Sequence, residues 1–170
     1  MNSNQFVMNE RIFWEIIELL DWNKKTIKDI LQKAIEKLSQ MSIQDIYEFQ
    51  EMLSEKLFDL DTKKHAENIG SRCYSETTTF SPDIFLYSRA SVIAEGKEFY
   101  NQVLSNPELM PKDMDFEYLL YLAPDAYKLK TGKDWNYTPV RYPYETFFNK
   151  EGWSIKTNPI ETTIKKKVAV

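Results

Sequence analysis

Two residues of this chain have the types that nucleophilic chemistry needs. Cys73 stands eight residues after His65, and an imidazole beside a thiol lowers the thiol pKa and favours the attacking thiolate. That chemistry also needs a group to orient the base and donors to receive an oxyanion. No motif for either accompanies the pair, so the expectation is a packing cysteine and a surface histidine, with no catalytic residue. One histidine and one cysteine also fall short of the three or four ligands that zinc takes, so no metal and no cofactor are expected. The four glycines are well separated, which argues against a phosphate-cradling loop.

Arg72 and Arg89 flank the same region, with Glu76 and Asp83 nearby. An arginine on an otherwise apolar helix is expected to pair with a carboxylate, because an unpaired buried charge is costly. If His65, Arg72, Cys73 and Arg89 converge, they form a pocket for a small ligand or a reaction; this is the alternative functional reading. The leading surface feature lies elsewhere. Glu48, Glu51, Glu55 and Asp59 form an acidic stripe, read either as a solvated face or as a docking surface for a basic partner.

The elements that position these residues are helical. The first 69 residues hold neither glycine nor proline, which favours helices over a turn-rich β architecture. Asn9 suits the cap of a first helix carrying Ile12, Phe13, Ile16 and Ile17, and a second helix follows Asn23 with Ile27, Ile30, Leu31, Ala34 and Leu38 in helical register. Ser42 and Asp45 resemble a capping box ahead of a third helix over 43–60. At about 100° per residue, Ile43, Ile46, Phe49, Leu53, Leu57 and Leu60 share one side of it. Thr62 suits the cap of a short fourth helix through Ile69, ended by Gly70.

After the polar connection 71–79 comes the best-signalled helix, at about 82–95. Ser81 suits its cap, Pro82 its first position, Asp83 its positive dipole end, and Phe80 with Phe85 a hydrophobic staple. Gly96 suits the residue past its end. The span is apolar nearly all round, as a central bundle helix reads. A helix from Phe99 is stopped by Asn106-Pro107, and Asp115 suits the cap of another, which Pro124 kinks or divides. Thr131-Gly132 closes it. Residues 133–153 are rich in aromatics and proline, too apolar for a free linker, and are expected to lie extended over the bundle. The tail from Ser154 is polar, including Lys165-Lys166-Lys167.

Several of these points together resemble a bacterial domain-of-unknown-function family (family forty-two forty). They are Phe13-Trp14 before Ile16-Ile17, Leu38-Ser39, Phe49 with Leu53 and Leu57, and Arg72-Cys73-Tyr74-Ser75. Phe85, Tyr87 and Ala90 leading to Gly96, the Asn106-Pro107 stop, Leu119-Leu120 to Ala126-Tyr127, and Thr131-Gly132 complete the similarity, over roughly residues 9 to 132. The chain departs from the family in carrying one acid, Glu76, after the cysteine, and Lys63-Lys64-His65 where a tryptophan is common. The resemblance implies a helical fold and supplies no catalytic residues.

The sequence-based expectation is an all-α multi-helix bundle around the helix at 82–95, with an irregular aromatic C-terminal segment. Residues 1–153 are read as one domain and 154–170 as a polar tail. At 170 residues with 42% hydrophobic and 14% aromatic content, the chain can bury a sizeable core. A net charge of −4 argues against nucleic acid as partner. No signal peptide and no apolar run of roughly 18 residues is evident, and a lone cysteine fits a reducing compartment; a cytoplasmic location without membrane partners is expected. The leading function is a non-enzymatic protein-binding module, in one form an immunity or antitoxin protein that covers a basic toxin domain.

Overall fold

The first five helices start where the chain supplies a side-chain cap. Asn9 Oδ1 accepts the Ile12 N–H at 3.1 Å and opens α1 (Glu10–Ile17). The computed structural model describes residues 7–154; the polar tail from 155, with its lysine run at 165–167, lies outside the described residues. α2 (Ile27–Ser39) begins later than Asn23. Thr26 is its cap, accepting the Asp29 N–H at 3.2 Å, while Asn23 donates to Asp21 in the preceding turn. The capping box of α3 (Ile43–Asp59) is complete: Ser42 Oγ accepts the Asp45 N–H at 3.1 Å and Asp45 returns the bond to the Ser42 N–H at 3.2 Å. Ile46, Phe49, Leu53, Leu57 and Leu60 are fully buried on its inner side, each worth about 2 kcal/mol of burial. Ile43, at the first turn, stays exposed.

α4 (Lys63–Ala66) is a single turn, shorter than the sequence suggests. The reason is a chain crossing at Gly70, whose φ of +95° suits glycine. The Ile69 carbonyl accepts the Asp113 N–H at 2.9 Å instead of continuing a helix, and Ser71 N–H and Oγ bind the Asp113 carboxylate. A Cβ on Gly70 would stand 2.8 Å from the Asp113 backbone nitrogen.

α5 (Pro82–Ala94) is built as its residues announce. Ser81 Oγ accepts the Ile84 N–H at 3.3 Å, and the Phe80 and Phe85 rings lie 5.9 Å apart. Nine of its 13 residues are buried, on every side of the helix. α5 packs against α3, the later α6 (Lys97–Ser105) and a 3-10 turn at Glu117–Tyr121. α3 packs against α1, α2, α5 and the later α7 (Leu122–Thr131), so α3 and α5 share the centre.

Asn106 caps a short 3-10 turn, Pro107–Leu109. Asp115 does not cap the next element: its carboxylate is drawn to Arg72 at 3.0 Å. Pro124 is the third residue of α7, where the N–H groups have no intrahelical partner anyway, so it starts the helix instead of kinking it. Gly132, left-handed at φ +71°, closes it by donating to Lys128 O at 2.8 Å. Residues 133–149, hereafter the wrap, then cross the bundle without regular structure and end in a one-turn α8 (Lys150–Trp153). Trp135, Tyr144 and Trp153 pack against the common core. Among the described residues there is no strand, and no helix is long and apolar enough to cross a membrane. The fold is an all-α bundle.

Candidate functional site

The four residues of the anticipated pocket go to separate tasks. His65 is buried, not a surface residue. Its Nε2 faces the Val103 carbonyl at 3.1 Å, which can only accept, so Nε2 carries the proton and Nδ1 accepts from Thr62 Oγ1 at 2.7 Å. Both ring nitrogens are engaged, and burial lowers the imidazole pKa. Arg72 pairs with Asp115 instead of Glu76 or Asp83, because the Gly70 crossing sets the two loops side by side; Glu76 is held by Lys63 at 3.0 Å. Cys73 is half-buried against the core.

Among the described residues, no carboxylate hydrogen-bonds or ion-pairs with Arg89. Fully buried on α5, it donates to Leu57 O at 2.7 Å, Tyr144 O at 3.0 Å and Thr146 Oγ1 at 2.9 Å. Its guanidinium lies 4.8 Å from the Phe85 ring centre. Burial lowers it to about 10, against the opposing charges of Asp61 and Glu145, so it stays a cation at neutral pH. Two carbonyls and a hydroxyl take its terminal N–H groups in place of an acid, while its Nε stays buried without a hydrogen-bond partner among the described residues. No hydrogen bond or ion pair among the described residues joins any two of His65, Arg72, Cys73 and Arg89.

The acidic stripe is also divided. Glu51 is buried, its carboxylate enclosed by the wrap. It accepts from the Tyr137 hydroxyl, from Val140 N–H at 2.8 Å, and from Arg141 N–H at 3.1 Å and Nε at 3.4 Å. Burial pushes its pKa up, but these donors outweigh it and hold the group below the ordinary glutamate value. Tyr137 is pushed up to about 12 by burial and by the Glu51 carboxylate. Glu48 binds the other end of the Arg141 guanidinium, and Asp59 accepts the Tyr100 hydroxyl at 3.1 Å, its pKa raised by burial. Within the stripe, Glu55 is the carboxylate with neither an ion pair nor a side-chain hydrogen bond among the described residues. The stripe is therefore an internal anchor more than an open docking face, because a segment some ninety residues later brings its own donors to it.

What the wrap leaves open is a cleft of about 370 Å³ between α3, α5, the start of α7 and the wrap itself. Its walls are aromatic, with Tyr87, Tyr121, Trp135, Tyr137 and Tyr144. Asp83 and Glu145 stand on its exposed rim, and Glu117 lies close enough to act on Tyr87. The Tyr87 pKa is raised by burial first and then by Asp83, Glu117 and Glu145. None of the three carboxylates has an ion-pair partner among the described residues, and no basic side chain lines the cleft.

Gln50 lies at the base of this cleft, only 5% exposed. Ser54 Oγ donates its proton to the Gln50 carbonyl at 2.8 Å, so it can only accept from the side-chain amide, whose Nε2 lies 3.4 Å away. With Nε2 so placed, Oε1 has no hydrogen-bond partner among the described residues. A buried acceptor left so costs about 1–3 kcal/mol, which marks the position as one not shaped for stability alone. Sequence reading passed over Gln50, although a signal existed: it sits one turn after Ile46 and three residues before Leu53, a polar residue on the apolar side of α3. Tyr121 and the wrap tyrosines gave no such signal, since they meet only in the folded chain.

The geometry is accompanied by one similarity. The model of a family described as "Protein of unknown function (DUF4240)" matches residues 8–129, well over half of the chain. The chain belongs to this family. The DUF4240 match covers Gln50, Asp83, Tyr87 and Tyr121 and stops within α7, so Trp135, Tyr137, Tyr144 and Glu145 lie beyond it. No curated protein and no solved structure matches the chain.

Proposed function

We propose that this DUF4240 chain is a non-enzymatic protein-binding module whose partner presents a basic surface, an immunity or antitoxin protein that neutralises a basic toxin domain being one concrete form. The observation that supports this is the face around Tyr87. Asp83, Glu117 and Glu145 converge there without an ion pair among the described residues, Glu145 also feeling the charge of buried Arg89, around exposed aromatic area such as Tyr121, which is 51% exposed. Unpaired carboxylates beside tyrosines favour encounter with cations and supply rigid contact area with few rotatable bonds. This relocates the acidic docking surface from the α3 stripe to the α5 and wrap face. The rival reading, a small-ligand sensor or enzyme at residues 65–89, draws no support from the partners of His65, Arg72, Cys73 and Arg89.

The test is capture from the native cell with the full chain and with the triple variant Asp83→Lys, Glu117→Lys, Glu145→Lys. A basic protein retained by the parent chain, released by moderate salt and lost with the triple variant, is the expected result. Equal capture by both chains, or a partner that is itself acidic, would sink the reading.

A further inference from the structure

We infer that the cleft between α3, α5, α7 and the wrap receives one large apolar side chain from a partner segment whose flanking residues are basic. This rests on the reading of a basic partner and names the kind of segment by which that partner is held. The lining is graded by depth. Asp83, Tyr121 and Glu145 stand exposed at the rim. Tyr87, Leu120, Trp135 and Tyr144 are half-buried walls, and Leu86 with Gln50 forms the buried floor. The two carboxylates of the lining are therefore both at the mouth, and neither has an ion pair among the described residues. Gln50 offers a guest no open acceptor, because its Oε1 is closed to solvent as well as unpartnered.

The gradient assigns charge and apolar surface to different parts of the guest. A cation gains most at the rim, where no basic side chain lines the cleft against Asp83 and Glu145. Glu145 also feels the charge of buried Arg89, which is itself absent from the cleft walls. Carried inward, a cation would lose water with no carboxylate beside it, and such burial is costly. An apolar group gains most within, against Leu86, Leu120 and the rings, and an aromatic one adds offset or edge contacts with Trp135 and Tyr144. The size agrees, since about 370 Å³ lies near the lower end of ligand clefts and suits one side chain entering from a surface. An apolar anchor in a pocket, ringed by polar contacts, is also how protein interfaces concentrate their binding energy.

The experiment is an NMR titration of the ¹⁵N-labelled full chain with blocked pentapeptides, read at the Trp135 indole N–H. Lys-Lys-Phe-Lys-Lys is expected to give saturable shifts and to bind about tenfold or more tighter than Lys-Lys-Ala-Lys-Lys, as burial of one apolar side chain requires. Glu-Glu-Phe-Glu-Glu is expected to give none. Raising the salt should weaken both lysine peptides while their ratio persists, because screening acts on the flanks and not on the anchor. Tyr121→Ala, at an exposed position, should reduce the Phe-to-Ala ratio about threefold, the loss of one ring contact. Asp83→Asn with Glu145→Gln should instead weaken both lysine peptides alike. Equal affinity of the Phe and Ala peptides overturns the anchor, and a Glu-flanked peptide binding as tightly as its Lys-flanked counterpart overturns the basic flanks. An unchanged ratio in Tyr121→Ala overturns the cleft as the place of binding. No saturable binding by any peptide overturns the whole assignment. If the assignment falls while a basic protein is still captured through residues 83, 117 and 145, the docking surface stands without an anchor. If that capture fails as well, both readings fall.

Discussion

His65 shows how a residue with catalytic potential can be fully occupied by structure. It is the one histidine of the chain, its two nitrogens are satisfied by Val103 O and Thr62 Oγ1 only in the neutral form, and burial lowers its pKa from the usual 6.5. The linkage follows directly. The unfolded chain binds the imidazole proton at about 6.5, the folded chain only at lower pH, so the full contribution is present above about 6.5 and declines as pH falls through the window below it. Denaturant melts at successive pH values should show stability decreasing on acidification, and His65→Gln, which keeps a donor for Val103 O, should flatten that slope. Because the chain has a single histidine, its imidazole C–H resonances can be followed without ambiguity. A midpoint at or above 6.5 would show that the ring is not held neutral in the fold. Gln50 is the counterpart, a residue whose bonding is incomplete at Oε1, as that of Arg89 is at Nε.

Elements of this fold were legible in proportion to how local their causes are. The caps at Asn9, Ser42, Thr62 and Ser81 and the stop at Gly132 depend on neighbours within a few residues, and each acts as its residue type requires. The helix after Asn23 starts late because Asn23 is held in the turn at Asp21 and Thr26 supplies the cap, whereas Ile69 and Asp115 leave their expected roles because contacts with distant residues outbid local propensity. Glu51 is the clearest case. On a helical wheel it belongs to the outer acidic side of α3, yet the wrap makes it an inner residue with donors from Tyr137, Val140 and Arg141. This lock should carry a measurable share of stability. Glu51→Ala leaves buried donors without an acceptor and should cost about 2–4 kcal/mol, whereas Tyr137→Phe removes one donor and should cost about 1 kcal/mol. In the double variant the two losses should be clearly less than additive, as for residues sharing one bond. Additive losses in urea melts would mean that the Tyr137 hydroxyl does not depend on Glu51.

At the scale of the whole molecule, the open question for sequence reading was whether 133–153 is an accessory or a part of the bundle. Its aromatic content indicated covering, but not what it covers, since the three groups it satisfies lie on three separate stretches. It supplies the Tyr144 carbonyl and the Thr146 hydroxyl to Arg89 on α5 and the whole donor set of Glu51 on α3. It also gives Phe147 N–H, Asn149 N–H and, through α8, the Trp153 indole N–H to the buried Asp61. The DUF4240 match ends at residue 129, which invites the thought that the bundle is complete without the wrap. Charge burial argues the opposite. Removing the wrap and α8 strips Glu51 and Asp61 of these donors and leaves Arg89 with only Leu57 O, while uncovering apolar area on Phe85 and Phe80. Each such group left half-buried and unpaired costs several kcal/mol, and two or three together exceed half of a typical domain's stability of about 5–15 kcal/mol. A chain ending at Gly132 is therefore expected to lose its cooperative thermal transition and to bind a hydrophobic dye. A cooperative transition within a few degrees of the full chain, in the protein ending at Gly132, would show that the wrap is dispensable to the fold and that its contacts serve the cleft alone.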